Sequence, residues 1–151
     1  MHVQQLVIKK NITFLMQDFS FHFDTTSFFI EIFDTPTITP FTDYQFCDDT
    51  SDGDNMNGQT TVDLLEIDAL VLGNQDPLLY NITYHSSQFD ANSGAAALPF
   101  TYYNTIPNLE VIFVRIENIT NTDCYDTMVF DLIVNVAPET FNTTLFQCDE
   151  D

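Results

Sequence analysis

The chain contains part of itself twice, and this repeat fixes the size of the unit that has to fold. DTTSFFIEIFDTP, Asp24 to Pro36, aligns with DTMVFDLIVNVAP, Asp126 to Pro138, at an offset of 102, with Asp24, Thr25, Phe28 and Pro36 identical in the second copy. After each proline comes a Thr-rich link and then a cysteine followed by acids, FCDD at Cys47 and QCDE at Cys148, 101 residues apart. Four identities in thirteen positions can arise by chance between two strands, but a second match at nearly the same offset makes chance the weaker explanation. The repeat divides the chain into an unassigned segment 1–22, the last strand and linker of a preceding repeat (23–39), one complete module (40–138), and the linker and start of a following repeat (139–151). Residues 1–22 match no position of the repeat and are expected to pack poorly. A unit of about 100 residues can bury its own core.

Within the unit the pattern is that of strands. In YNITYH, Tyr80, Ile82 and Tyr84 share a face while Asn81, Thr83 and His85 point away; MVFDLIVNV alternates as a half-buried antiparallel strand should. LEVIFVRIEN is apolar on both faces over its centre, which suits a central strand. Two short helical turns are expected in the connections: Asp63 with Glu66 opens LLEIDALVLG, stopped by Gly73, and Ser87 with Asp90 opens SSQFDANSG, stopped by Gly94. Short strands separated by turn-rich segments indicate an all-β antiparallel β-sandwich.

Charge narrows the partners. There are 23 Asp and Glu against three Lys and Arg, a net charge of −20, and Arg115 is the one strong cation beyond Lys9 and Lys10. Such a chain repels phosphate backbones, so nucleic acid and anionic membrane surfaces are excluded as partners. It is not a disordered acidic tail, because 44% of it is hydrophobic and it carries 15 Phe. No stretch approaches the roughly 18 apolar residues of a membrane span, and MHVQQLVIKKNITFLMQDF lacks the h-region and cleavage site of a signal peptide. Either the chain stays inside the cell or it is a piece of a longer secreted one.

Cys47, Cys124 and Cys148 share no CxxC spacing and have no neighbouring histidine, which disfavours zinc. The repeat gives each module one cysteine at its entry and one before its last strand. Cys47 and Cys124 then form the natural pair, with Cys148 belonging to the next copy and no counterpart of Cys124 near His22; the alternative is a set of buried thiols. The loop after Cys47 gathers Asp48, Asp49, Asp52, Asp54, Asn57 and Asp63 around Gly53 and Gly58. Oxygen ligands around a glycine turn suit calcium, although Gln59 stands where an EF-hand has its Glu, and Asp, Asn and Gly also form plain turns. No catalytic fingerprint appears, and His85 beside Ser86 and Ser87 reads as a surface residue rather than a base, so the chain is expected not to be an enzyme.

The segment YQFCDDTSDGDNMNGQTTVDLLEIDALVLGNQDPLLYNITYHSSQFDANSGAAALP, followed by VIFVRIEN and CYDTMVFDLIV, resembles the tandem immunoglobulin-like modules of very large secreted surface proteins of Bacteroidota, particularly flavobacteria. The resemblance covers residues about 43 to 151. It implies an immunoglobulin-like sandwich acting as a stalk or adhesin module outside the cell, in a longer chain exported by type IX secretion. It also implies a Cys47–Cys124 disulfide, calcium at the Asp48 to Asp63 loop, neighbouring modules as partners, and surface glycans or other surface proteins beyond them. The alternative reading is a calcium-dependent carbohydrate-binding domain using Tyr80, Tyr84, Tyr102 and Tyr103.

Overall fold

The computed structural model describes residues 10–17 and 23–136, with side chains from residue 30 onward. The complete module is built from β3 (Asp43–Cys47), β4 (Thr61–Asp63), α1 (Leu65–Leu72), β5 (Tyr80–His85), α2 (Gln88–Ser93), β6 (Thr101–Tyr103), β7 (Leu109–Asn118) and β8 (Asn121–Asn135). Before it come β1 (Lys10–Gln17) and β2 (Phe23–Ile30), an antiparallel hairpin.

The main sheet has the order β3-β8-β7-β5, and β4 pairs with β6 in a second, two-stranded sheet. β7 is central, as its two apolar faces require. Its alternate residues Ile112, Val114 and Ile116 face inward, paired with Phe130, Met128 and Asp126 on β8. On the other side Val114 and Ile116 pair with Tyr84 and Ile82 of β5. Val62, Leu64, Ile67, Val71 and Tyr102 cover this face, so α1 and the β4–β6 pair form the second layer. Each such fully buried side chain stabilises the fold by about 1.5–3 kcal/mol relative to exposure. The module is thus an all-β, sandwich-like fold with two short helices.

One pairing departs from an antiparallel sandwich. β3 runs parallel to β8, with Asp43 opposite Asp131 and Cys47 opposite Asn135. The first and last strands of the module are therefore neighbours pointing the same way. Upstream of β3 the incoming chain follows the same course. Asn118 Nδ2 donates to the Asp34 carbonyl (3.4 Å), the Ile38 amide donates to Asp126 Oδ2 (3.1 Å), and the Asp131 amide donates to the Thr42 carbonyl (3.0 Å). The chain enters at the β7–β8 turn and leaves, after Asn135, at the opposite pole.

The helical expectations are met with one local difference. Ser87 caps α2, its Oγ accepting from the Asp90 amide at 3.1 Å, and Gly94 closes it in the left-handed conformation. For α1, Gly73 is the C-cap, but the N-cap position is Leu64, and Asp63 instead accepts from the Leu65 amide at 3.0 Å. Residues 10–17 match no repeat position by sequence, but they form a strand paired with β2. Ile12 pairs with Phe28 as Ile112 pairs with Phe130, at offsets of 100 and 102. The β1–β2 pair thus has the same antiparallel pairing as β7–β8.

Candidate functional site

Two groups of buried polar side chains stand out, one toward each pole of the module. At the exit pole, Cys47 ends β3 and the acidic loop begins, with the Asp48 amide donating to the Asn135 carbonyl at 2.7 Å. Asp48 is buried; its Oδ2 accepts from the Gly58 amide (2.8 Å), and its Oδ1 has no hydrogen-bond partner. Gly58 is positioned by need. Its φ is +71°, and a Cβ there would lie 2.5 Å from Asn108 Oδ1 and 2.9 Å from the Asn108 amide nitrogen. Asn104, also buried, ties the loop down: its Oδ1 accepts from the Thr60 amide (2.7 Å) and its Nδ2 donates to the Gly58 carbonyl (3.0 Å). Buried Glu110 accepts from the Tyr102 hydroxyl (2.8 Å), the Thr105 amide (2.8 Å) and the Thr105 hydroxyl (2.7 Å), which fixes the facing loop.

The other loop acids are committed to the loop itself. Asp49 accepts from the Ser51 amide (2.9 Å) and the Thr60 hydroxyl (3.0 Å), and bonds from Ser51 and then Thr60 hold its carboxyl below the usual range. Asp52 accepts from Asn57 Nδ2 (2.8 Å), the Asp54 amide (3.0 Å) and the Tyr103 hydroxyl (2.8 Å), which likewise lower it. Asp54 accepts from the Met56 amide and Asn57 from the Gln59 amide. These are side-chain-to-backbone turns. Among the described residues no three His, Cys, Asp or Glu side chains are grouped to share a metal ion. Asp63 lies away from the loop at the start of α1, with its carboxylate on Leu65. Each of the six residues expected to hold calcium thus has one side-chain oxygen accepting from a backbone amide.

At the entry pole stands Arg115, 4% exposed. Its Nε donates to Glu117 Oε2 (2.8 Å), one terminal nitrogen donates to the carbonyls of Ala91 (3.1 Å) and Asn92 (2.9 Å), and the other donates to Thr122 (2.7 Å). The guanidinium also lies over the Tyr125 ring, 3.7 Å from its centroid. The one strong cation of the module thus binds the end of α2 to the β7–β8 turn, next to Cys124. Sequence reading noted that Arg115 is alone among acids but gave it no role; its solitude within an apolar strand was the available signal.

Two expectations are corrected here. Cys47 and Cys124 are not bonded to each other. Cys47 lies opposite Asn135, and Cys124 lies eleven residues back along β8, roughly 35 Å at the usual rise of about 3.3 Å per residue, whereas a disulfide holds its Cα atoms about 4.4–6.8 Å apart. Two cysteines at opposite ends of parallel neighbours cannot close on each other. His85 is fully buried rather than at the surface, because the segment after α2 covers it: Nδ1 pairs with the Ala95 carbonyl and Nε2 with the Thr83 hydroxyl, both at 2.9 Å. Burial holds its pKa below the usual histidine value. Cys148 and His22 lie outside the described residues.

The four tyrosines of the alternative reading are placed differently from one another. Tyr84 and Tyr102 are buried in the core and Tyr80 is half-buried, while exposed Tyr103 is bonded to Asp52. Tyr84 donates to Asp68 Oδ1 of α1 (2.7 Å); burial, and then Asp68, push its phenol far above the usual range, and burial raises Asp68 in turn.

The two cysteines thus stand at opposite poles of a module whose chain passes from one pole to the other. The model of a Flavobacterium inter-domain disulphide bond domain matches residues 43–138, more than half of the chain. The chain belongs to this family. Membership supports a flavobacterial origin and implies neighbouring domains in the same chain. The matched span opens at the first residue of β3 and closes just past β8, so the entry segment 34–42 lies before it. No curated protein and no solved structure matches the chain.

Proposed function

We propose that the chain is a non-enzymatic structural module of a tandem array, part of a longer secreted surface protein, which serves as a stalk in adhesion. The observation that carries this reading is the parallel β3–β8 pair. Because the first and last strands run side by side in one direction, each module takes the chain in at one pole and releases it at the other, so successive modules extend the array lengthwise. The β1–β2 hairpin, with the register of β7–β8, supports a preceding copy, and the family's description supports a covalent tie between neighbours.

A role without catalysis is supported by His85, the one histidine in the described module, whose ring nitrogens are both engaged in the interior. Calcium at the exit loop rests on Asp48 Oδ1, the one buried side-chain oxygen there without a partner; a cation would have to draw further oxygens from the turns. Disulfides persist in oxidising compartments, which accords with a place outside the cell.

Proteolysis of intact flavobacterial cells tests the proposal. The array is expected to be cleaved from the surface of cells competent in type IX secretion and to be absent from the surface of secretion mutants. A chain protected inside intact cells, with all its thiols free, would sink the reading.

A further inference from the structure

The outer face of the main sheet is only partly covered. Side chains alternate along a strand, so Leu109, Val111 and Phe113 of β7 point away from the core residues Ile112 and Val114, and their partners Ile133, Asp131 and Val129 on β8 point the same way. Toward the entry pole this face carries Arg115, Thr127 and His85. There it is roofed by α2, through the Arg115 bonds to Ala91 and Asn92 and the bond from Gln88 Nε2 to the Thr127 hydroxyl (3.1 Å), and by the segment at Ala95 over His85. Toward the exit pole the face stays open: Leu109, Val111 and Val129 are 46%, 42% and 47% exposed, and Phe113, Asp131 and Ile133 are half-buried. Single apolar residues on a surface mean little, but five in adjacent register make a patch that a partner can bury.

Asp131 stands in the middle row of this patch, opposite Val111 on one side and Asp43 of β3 on the other. Like charges directly opposite one another destabilise a sheet. Thr42 and Gln45 donate to the Asp43 carboxylate, but no cation serves either acid, since the one ion pair among the described residues joins Arg115 to Glu117. A positive charge placed over Asp131 would relieve the pair.

We propose that this face binds an extended cationic segment of another protein, with a lysine or arginine over Asp131 and an apolar side chain on either side of it. The register sets the pattern. Leu109 and Phe113 are four residue steps of about 3.4 Å apart, or about 14 Å, which is the reach of five residues in an extended strand. A segment that lays alternate residues on the face meets Leu109 and Ile133 with its first, Asp131 with its third, and Phe113 and Val129 with its fifth. Such a footprint is far below the roughly 800 Å² that each partner of a standard protein interface contributes. A second copy of the chain also has the wrong charge: at −20 it repels its like, and Arg115, its one strong cation beyond Lys9 and Lys10, is buried with its donors engaged.

Fluorescence anisotropy of the 151-residue chain with a labelled peptide, in which valine, lysine and valine alternate with threonine, tests this at physiological salt. Binding should weaken about tenfold in Asp131→Asn, and about tenfold in the double variant Val111→Thr, Val129→Thr, which alters no charge and keeps β-branched residues on the strands. A peptide of the same composition with its valines adjacent and its lysine at one end should bind the parent about tenfold less well. Equal binding to the parent and to either variant would leave only attraction to the bulk acid and overturn the proposal, as would equal binding of the two peptides or no binding at millimolar peptide. Sedimentation of the chain alone reads the other occupant: self-association that is lost in the double variant would give the face to a second copy and overturn the proposal likewise. Matching circular dichroism and melting midpoints show that each variant has folded.

Discussion

Replacing Arg115 should cost the module more stability than any other single surface-to-core polar change. In Arg115→Met the side chain keeps much of its length but leaves four acceptors without their donor: the carbonyls of Ala91, Asn92 and Thr122, and the Glu117 carboxylate. Counting each charged hydrogen bond at about 1.5–3 kcal/mol would overshoot, since the four share one group and are not additive. Removing one partner of a buried pair costs about 3–5 kcal/mol, and the lost contact with Tyr125 falls within that range. At about 4 °C per kcal/mol for a domain of this size, the midpoint should fall by about 12–20 °C. Arg115→Lys keeps the charge but not the fork, and should recover less than half of the loss. Thermal and urea melts monitored by circular dichroism give the magnitude, and hydrogen exchange gives the place: the amides of residues 91–94 and 121–124 should lose protection first. The difference should persist at 0.5 M salt, because a buried pair is screened far less than a surface one. A loss below about 1 kcal/mol, or one that disappears in salt, would refute the reasoning and make Arg115 an ordinary surface charge.

Gly58→Ala meets both a left-handed backbone and the Asn108 side chain and amide, and should lose about 2–4 kcal/mol in urea titration; Gly53→Ala, at φ +97° with open space around it, should lose only about 1 kcal/mol. Burial depresses His85 in the folded state, so the unfolded chain binds its proton more readily, and the contribution is present above the unfolded value of 6.5 and lost as pH falls through the folded one. Melts from pH 7.5 downward should therefore show the parent losing stability relative to His85→Gln, and parallel curves would contradict the assignment. Millimolar calcium should raise the midpoint of the parent but not of Asp48→Ala if Asp48 Oδ1 anchors a cation; an unmoved parent midpoint rejects that site.

How much was legible in the sequence depended on the range of the interaction. β7 could be read as central because a strand buried on both sides needs apolar residues on both faces, and α2 because Ser87, Asp90 and Gly94 supply their own start and stop. The acids of the exit loop looked equally suited to a cation and to turns, since both uses want carboxylates two residues apart near glycine. The turns are visible in the fold, with Asp49, Asp52 and Asp54 each accepting from the amide two residues on, and they leave Asp48 Oδ1 without a partner. His85 was misplaced because nothing within its own strand encodes that the segment at Ala95 returns over it. β1 matches no position of the repeat by residue identity, and only its antiparallel pairing with β2 is like that of β7 with β8.

The cysteines show the limit most plainly. Their count and spacing say that each module carries two, and two sulfurs in one module invite pairing. The local sequence of DYQFC contains nothing that specifies a parallel partner fifteen residues long, so whether Cys47 lies at the same pole as Cys124 or the opposite one is a property of topology alone. An antiparallel first strand would have run Cys47 toward the β7–β8 turn and made the pair within the module plausible. The parallel one sends it the other way. That single choice of strand direction removes the staple inside the module and carries the chain from pole to pole, so the direction of β3 sets both where the two sulfurs lie and where the chain leaves.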